Sequence, residues 1–366
     1  MSPAVCGIIA EYNPFHSGHL YHLEQTRARL GPDTRFIVVL SGHGVQRGEF
    51  PLLTKAARTE MALRAGIDLV LELPIHGAVA GAERFARAGV SILRRAGVTH
   101  LSFGSESGEL APLQQAAEQM VAVFPKDASL ARSYPQLFPK LENVFTPNNI
   151  LGLEYLRALQ GTEITAVTVK RQGSGHDDGG LSASGLRALL RAGALLPAGA
   201  LPAFSGEILS RELAAGCGPI PPWGEERAFL SYLRRLSPAD FAALPEVTGG
   251  LESRLYRAAQ QAGSAEALMA LAKTKRFTAA RLRRAFFGAF LGLTEAQALC
   301  EPPLRLLGIG QHGAELLGAI AEPVLSKAAN HRDALALEAR VTDQLALAMP
   351  VAQAAGGEWR ERVVLL

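Results

Sequence analysis

Two histidines, His16 and His19, stand in the stretch Glu11-Tyr12-Asn13-Pro14-Phe15-His16-Ser17-Gly18-His19. The run before them, Val5 to Ala10, is apolar and reads as a buried strand. Leu20, Leu23 and Leu30 follow at helical spacing, on a helix from about Gly18 to Leu30. Imidazoles at a strand-to-helix turn can donate hydrogen bonds to a nucleotide's phosphates, where backbone N–H groups and the positive helix end already favour anions. Gly18 has no Cβ to obstruct the approach of a ligand. Fixed donors that meet charge developing at phosphorus are worth about 3–4 kcal/mol each. A bare His-x-Gly-His also occurs in ordinary turns, with His19 merely bracing the helix start. Its place after the first strand of an α/β pattern favours the phosphate role.

A second constellation is Leu181-Ser182-Ala183-Ser184-Gly185-Leu186-Arg187. Ser182 and Ser184 would offer donors at a helix start, with Arg187 one turn inside, a grip for the β- and γ-phosphates or departing pyrophosphate. Alone, the same residues make a serine cap followed by a surface arginine. Gly104 with Ser105 and Glu106, Asn148 with Asn149, and Lys170-Arg171 are candidates for binding adenosine. A glycine at a strand end admits the nucleoside, and an asparagine can pair with an adenine edge or a ribose hydroxyl. Asn149 could instead cap the helix carrying Leu151 and Leu153.

The strongest basic cluster is Thr274 to Arg284. From Ala267 to Thr294 there are six Lys or Arg and no Asp or Glu. Thr278 is expected to cap a helix whose Leu282, Phe286, Phe290 and Leu293 face a core, leaving Arg283 and Arg284 outward. With Lys275 and Arg276 these make a footprint for an RNA phosphate backbone.

The elements that must hold these residues alternate in the first half of the chain. Arg35–Leu40, Leu69–Leu73, His100–Phe103 and Ile164–Val169 read as strands. Thr54–Gly66, Glu83–Arg95, Leu110–Phe124 and Asn149–Leu159 between them have helical periodicity. Such alternation predicts an α/β fold, a Rossmann-like doubly wound parallel sheet whose ligand sits outside the carboxyl ends of the strands. The residues after the strands are polar and glycine-rich, including Ser41–Glu49, Gly104–Gly108 and Ser174–Gly180 with His176 and Asp177. Residues 1–195 are read as the nucleotide-binding domain and 196–225, rich in Pro and Gly, as a linker. Residues 226–366 are read as a second, mostly helical domain, with its tail Arg362–Leu366 a short strand or disordered.

The 366 residues are 48% hydrophobic and 19% charged, which fits a soluble globular protein of two or three domains. No apolar run is long enough to span a bilayer, and no secretory signal opens the chain, so a cytoplasmic protein is expected. Cys6, Cys217 and Cys300 form no metal or redox pair and are expected to be ordinary buried residues. The net charge of +3 leaves the question of nucleic acid to local clusters.

The stretch from Val5 through Glu11-Tyr12-Asn13-Pro14-Phe15-His16-Ser17-Gly18-His19 to His22 resembles the opening of bacterial tRNA(Met) cytidine acetate ligases, members of the nucleotidyltransferase superfamily named for its HIGH-type motif. Ser41-Gly42, Val45–Glu49, Glu72-Leu73-Pro74, Phe103–Glu106, Pro147–Gly152, His176-Asp177, Thr274–Arg276 and Arg305–Gly308 match as well, in order along most of the chain. The resemblance implies a nucleotidyltransferase-type sheet and a two-step reaction. ATP and acetate would give acetyl-adenylate and pyrophosphate, and the acetyl group would pass to N4 of the wobble cytidine of elongator tRNA(Met). The ATP site implied comprises Ile9, Ala10, Glu11, Tyr12, Asn13, Pro14, Phe15, His16, Ser17, Gly18, His19, Leu20, Tyr21 and His22, with Gly104, Asn148 and Arg171. Ser182, Ser184 and Arg187 resemble the superfamily's serine-rich phosphate motif. Mg²⁺ is expected on the triphosphate. The alternatives are a cofactor-pathway adenylyltransferase acting on a small phosphate ester, which needs no large basic helical domain, and a non-catalytic RNA-binding protein, which leaves both histidines without a purpose.

Overall fold

The computed structural model describes residues 3–123, 146–171 and 182–366. The expected loop Ser174–Gly180, with His176 and Asp177, and the residue Leu181 lie outside them. Five strands arise where apolar, β-branched runs predict them: β1 (Val5–Ala10), β2 (Arg35–Ser41), β3 (Leu69–Leu73), β4 (His100–Ser105) and β5 (Thr165–Lys170). They pair in parallel in the order β5-β4-β1-β2-β3. β1 lies in the middle, with Val5 opposite Arg35 and Ala10 opposite Leu40 of β2. The chain winds outward from β1 to β3, then crosses to the other side of β1 for β4. The strand order therefore reverses between β1 and β4, and in doubly wound sheets ligands sit outside the carboxyl ends of the strands at such a reversal.

Period two along β2 divides the core between the two faces of the sheet. Ile37 and Val39 join Leu69, Leu71, Phe85, Val90, Leu93, Leu153 and Tyr155 on one face. Phe36, Val38 and Leu40 join Ile8, Leu23, Met61 and Val70 on the other. The covering helices are α1 (Ser17–Leu30), α2 (Lys55–Arg64), α3 (Ile75–Ala78), α4 (Ala82–Arg95), α5 (Ala111–Val123), α6 (Pro147–Ala158), α7 (Ala183–Arg191) and α8 (Ala203–Ala214). A separate helical core follows, with Phe229, Leu233, Phe241, Leu255, Leu268, Leu282 and Phe286 buried together. It is built by α9 (Glu226–Arg235), α10 (Pro238–Ala242), α11 (Leu251–Gln261), α12 (Ala265–Ala272) and α13 (Ala279–Leu291).

The expectation that everything from 226 to 366 forms this helical unit is corrected beyond α14 (Glu295–Ala298). β6 (Leu306–Ile309) pairs antiparallel with β3, and β7 (Val364–Leu365) pairs parallel with β6, completing a seven-stranded sheet. The helices α15 (Gly313–Ala319), α16 (Ala336–Ala348) and α17 (Gly357–Arg360) accompany these strands. β6 escapes a sequence reading because it is four residues long and Arg305, at its entry, looks like a surface break.

Arg305 is instead buried by charge pairing. It lies 2.6 Å from Glu72 at the end of β3 and contacts Glu358, while Lys55 Nζ lies 3.0 Å from Glu72 and 2.9 Å from Glu358. Glu361 completes the group at 3.5 Å from Lys55. Thr342 Oγ1 donates to Glu358, and Glu338 accepts from the backbone N–H of Ile75 at 2.9 Å. Two cations and their carboxylates thus fasten the last strands and α16 to the first domain, with charges that are affordable inside only because each is paired. Phe50, Ile75 and Val79 pack with Phe287, Leu291, Val341 and Leu345, so the helical unit shares an apolar seam with the sheet domain. Among the described residues no helix is long and apolar enough to cross a membrane. Cys6 is buried, Cys217 half-buried and Cys300 exposed, which corrects the expectation that all three are buried.

Candidate active site

The backbone of the turn after β1 decides where the protons of its two histidines reside. His16 caps α1, and its Nδ1 accepts from the backbone N–H of Gly18 at 3.1 Å. The Nδ1 of His19 accepts from the backbone N–H of His16 at 3.2 Å. Both Nδ1 lone pairs are used within the turn, so each neutral ring carries its proton on Nε2. The rings stack with centroids 3.8 Å apart. Burial, aided by Arg171 and Arg187, pushes His16 down to about 4. Burial, then the neighbouring His16, holds His19 well below its ordinary value. At neutral pH the start of α1 therefore carries two uncharged Nε2–H donors fixed by the chain itself. Bracing the turn occupies only Nδ1 of His19, so that role does not use its Nε2–H. A Cβ on Gly18 would stand 2.9 Å from Cε1 of His16, so only glycine leaves this ring its place.

The rest of the motif mainly builds the floor. Tyr12, Asn13, Pro14 and Phe15 are buried, and Tyr12 meets Phe15 and His19 edge-on at 4.7 and 4.9 Å. The rings of Tyr12 and Phe15 pack against the imidazole of His19, at 4.9 and 5.4 Å between centroids. Asn13 Oδ1 accepts from the backbone N–H of Leu52 at 2.7 Å. Ser17 donates its hydroxyl to Gly199 at 2.5 Å and its N–H to Ala200 at 3.1 Å. Ile9, Ala10, Leu20 and Tyr21 are half-buried, and Ile9 packs against α4 at Gly89. His22 Nε2 lies 2.9 Å from Ser102 Oγ, pinning α1 to β4. Burial, then Arg171, pushes His22 down to about 4.

The second constellation comes to the same turn. Ser182 Oγ accepts from the N–H of Gly185 at 3.1 Å, the capping outcome, while Ser184 Oγ accepts from Arg187 at 3.3 Å. Arg187 also donates to the carbonyl of Asn13 at 3.0 Å and lies 3.8 Å from Glu49. It is a buried tie between α7 and the histidine turn, not a surface arginine.

At the end of β4 a Cβ on Gly104 would stand 3.1 Å from Cγ of Arg171, so the glycine first admits that arginine's stem. Arg171 is exposed, and its charge acts on all three histidines of α1. Thr146 precedes α6, and Asn149 does not cap it. Its Oδ1 faces the backbone N–H of Glu106 at 3.3 Å, joining α6 to the loop after β4. The side chain of Asn148 lies outside the described residues.

Sequence reasoning missed Arg58. Wholly buried on α2, it donates to the carbonyls of Glu11 and Ser41, each at 2.8 Å, of Leu53 at 3.2 Å, and of Gly42. It binds the exits of β1 and β2 to each other. No local spacing signals this, since a lone arginine in a helix is usually solvated. Glu11 assists, accepting from the N–H of Gln46 at 2.7 Å.

The basic cluster lies on and before α13. Thr278 caps the helix as expected, and Lys275, Arg276 and Arg283 are exposed. Arg284 corrects its expectation: it is half-buried and paired with Glu246 at 3.3 Å. Among the described residues no group of three His, Cys, Asp or Glu is placed to hold a metal ion.

A family model, that of the HIGH nucleotidyl transferases, matches residues 3–358. The chain belongs to the HIGH nucleotidyltransferase family. A tRNA(Met) cytidine acetate ligase of Syntrophomonas wolfei is 36% identical over 357 residues, covering 87% of this chain and 84% of that protein. One from Acetivibrio thermocellus is 32% identical, covering 99% of this chain and all of that protein. Among solved structures, Thermotoga maritima TmcAL without ligand superposes with a TM-score of 0.90 at 29% identity, and the same protein bound with alpha-thio ATP with a TM-score of 0.88 at 28% identity. Each comparison covers 99% of both chains. This HIGH nucleotidyltransferase thus follows its relatives through the helical unit and the returning strands, as well as through the nucleotide-binding half.

Proposed function

We propose that this chain is a tRNA(Met) cytidine acetate ligase, activating acetate with ATP and transferring the acetyl group to N4 of the wobble cytidine of elongator tRNA(Met). The observation that carries the chemistry is the pair of neutral, backbone-oriented Nε2–H donors on His16 and His19 at the N-terminus of α1. The substrate assignment is supported by the full-length likeness to proteins of that name and by the ATP analogue held by the Thermotoga maritima neighbour.

In the first step an acetate oxygen attacks the α-phosphorus, the bond to the bridging oxygen breaks, and pyrophosphate leaves. The imidazoles meet the growing negative charge without changing protonation, as preorganised donors should. Mg²⁺ would travel with the triphosphate oxygens as its ligands, since phosphates commonly supply them. In the second step the cytidine amine attacks the acetyl carbon, the bond from that carbon to the phosphate oxygen breaks, the nitrogen loses a proton to solvent, and AMP departs. No protein nucleophile is needed. Cys6, the cysteine on β1, is buried with its thiol pushed up to about 12. The exposed Lys275, Arg276 and Arg283 would hold RNA phosphates.

The test is acetate-dependent exchange of labelled pyrophosphate into ATP, followed by mass analysis of the wobble cytidine after incubation with labelled acetate and tRNA. Exchange that needs a phosphate ester in place of acetate, or an unmodified cytidine, would reject the assignment.

A further inference from the structure

The turn after β2 touches both halves of the molecule. Gly48 N–H bonds to the carbonyl of Val45 at 2.9 Å, and Val45 N–H to that of Glu49 at 3.0 Å, so Gln46 and Arg47 form the tip of a tight turn. On one side, Gln46 N–H is held by the Glu11 carboxylate directly after β1. On the other, Gly48 rests on α13. At its φ of +75° a Cβ would lie 2.6 Å from the nitrogen of Arg284 and 2.7 Å from the carbonyl carbon of Arg283. Trp223 Nε1 donates to the Gly48 carbonyl at 2.7 Å, closing the turn against the linker. The backbone at Arg47 is therefore held between the turn after β1 and the basic helix. It is exposed, and among the described residues it makes no ion pair. Its charge is felt by Arg187.

Arg283, whose backbone lies against Gly48, is exposed as well, and so are Arg276 and Lys275 just before the start of α13. A strand of phosphates following them would lead from the helical unit to the reaction centre.

We propose that Arg47 binds a backbone phosphate of the RNA substrate beside the reacting nucleotide, making the turn after β2 the join between RNA footprint and active site. This rests on the RNA half of the proposed function. The phosphate chemistry is shared with ATP, and the argument favours RNA because the turn is seated on α13.

The test is binding of an unmodified elongator tRNA(Met) transcript by the full chain and by Arg47→Gln, measured across a range of salt concentrations. The variant is expected to bind about five- to tenfold more weakly, with a salt dependence shallower by roughly one phosphate contact. Equal affinity and slope in the variant would overturn the proposal. So would a fall in acetate-dependent pyrophosphate exchange measured without RNA, which would assign Arg47 to ATP. If the unaltered chain fails to bind the transcript, it is the RNA half of the proposed function that fails.

Discussion

The Nδ1 of His19 lies 3.2 Å from the backbone nitrogen of His16, and through that bond one histidine sets the orientation of the other. His19→Ala removes a donor and also loosens the cap that holds His16. The expected loss in acetate-dependent pyrophosphate exchange is about 10²–10³-fold, in the range of a lost charge-stabilising donor or slightly beyond. Binding of a tRNA transcript should change little. Equal exchange in the variant would remove these imidazoles from the chemistry.

The depressed His16 and His22 give stability an acid limit. Both remain uncharged in the folded chain down to about 4, whereas the unfolded chain takes up protons near 6.5. The unfolded state binds more protons between these values, so stability falls as the pH drops from 6.5 toward 4. Denaturant melts over that range should show it, while the exchange rate of still-folded protein stays flat through pH 6.5. A rate that halves there would mean that a histidine of the site titrates normally.

Glu338 sets the opposite limit. Burial, then the nearby Glu72, pushes its carboxyl from 4.5 up to about 8. The folded chain holds a proton that the unfolded chain has released, so stability declines as the pH rises through this window. Glu338→Gln keeps an oxygen for the Ile75 N–H and should flatten that decline. An unchanged alkaline slope would place the titrating group elsewhere.

Lys55 serves two buried carboxylates, Glu72 at 3.0 Å and Glu358 at 2.9 Å. Lys55→Met leaves both without their shared cation and should cost about 3–5 kcal/mol in urea unfolding at pH 7. A cost below about 1 kcal/mol would show that Arg305 alone suffices.

The histidine turn was legible because its information is local: an apolar strand, a glycine and two imidazoles within a few residues. β1 to β5 were legible for the same reason, as was the Thr278 cap. Arg58, Lys55 and Arg305 were not, because their partners come from distant segments and nothing in the sequence marks these residues as buried. Arg284 was misread outward for a related reason, since Glu246 lies outside the window that looked purely basic. The inward packing of Tyr12 to Phe15 was hidden by a motif that matches the whole family stretch without saying which side chains support and which face a ligand.

The strand that covers β3 comes from Leu306–Ile309, more than two hundred residues downstream. During synthesis on the ribosome, the outer edge of β3 must wait, with its N–H and C=O groups unpaired, until nearly the whole polypeptide has emerged. Gene fragments that stop in the linker would freeze that waiting state and expose an edge ready to recruit other chains. The nucleotide-binding half and the rest of the chain have to be inherited, expressed and engineered as one piece.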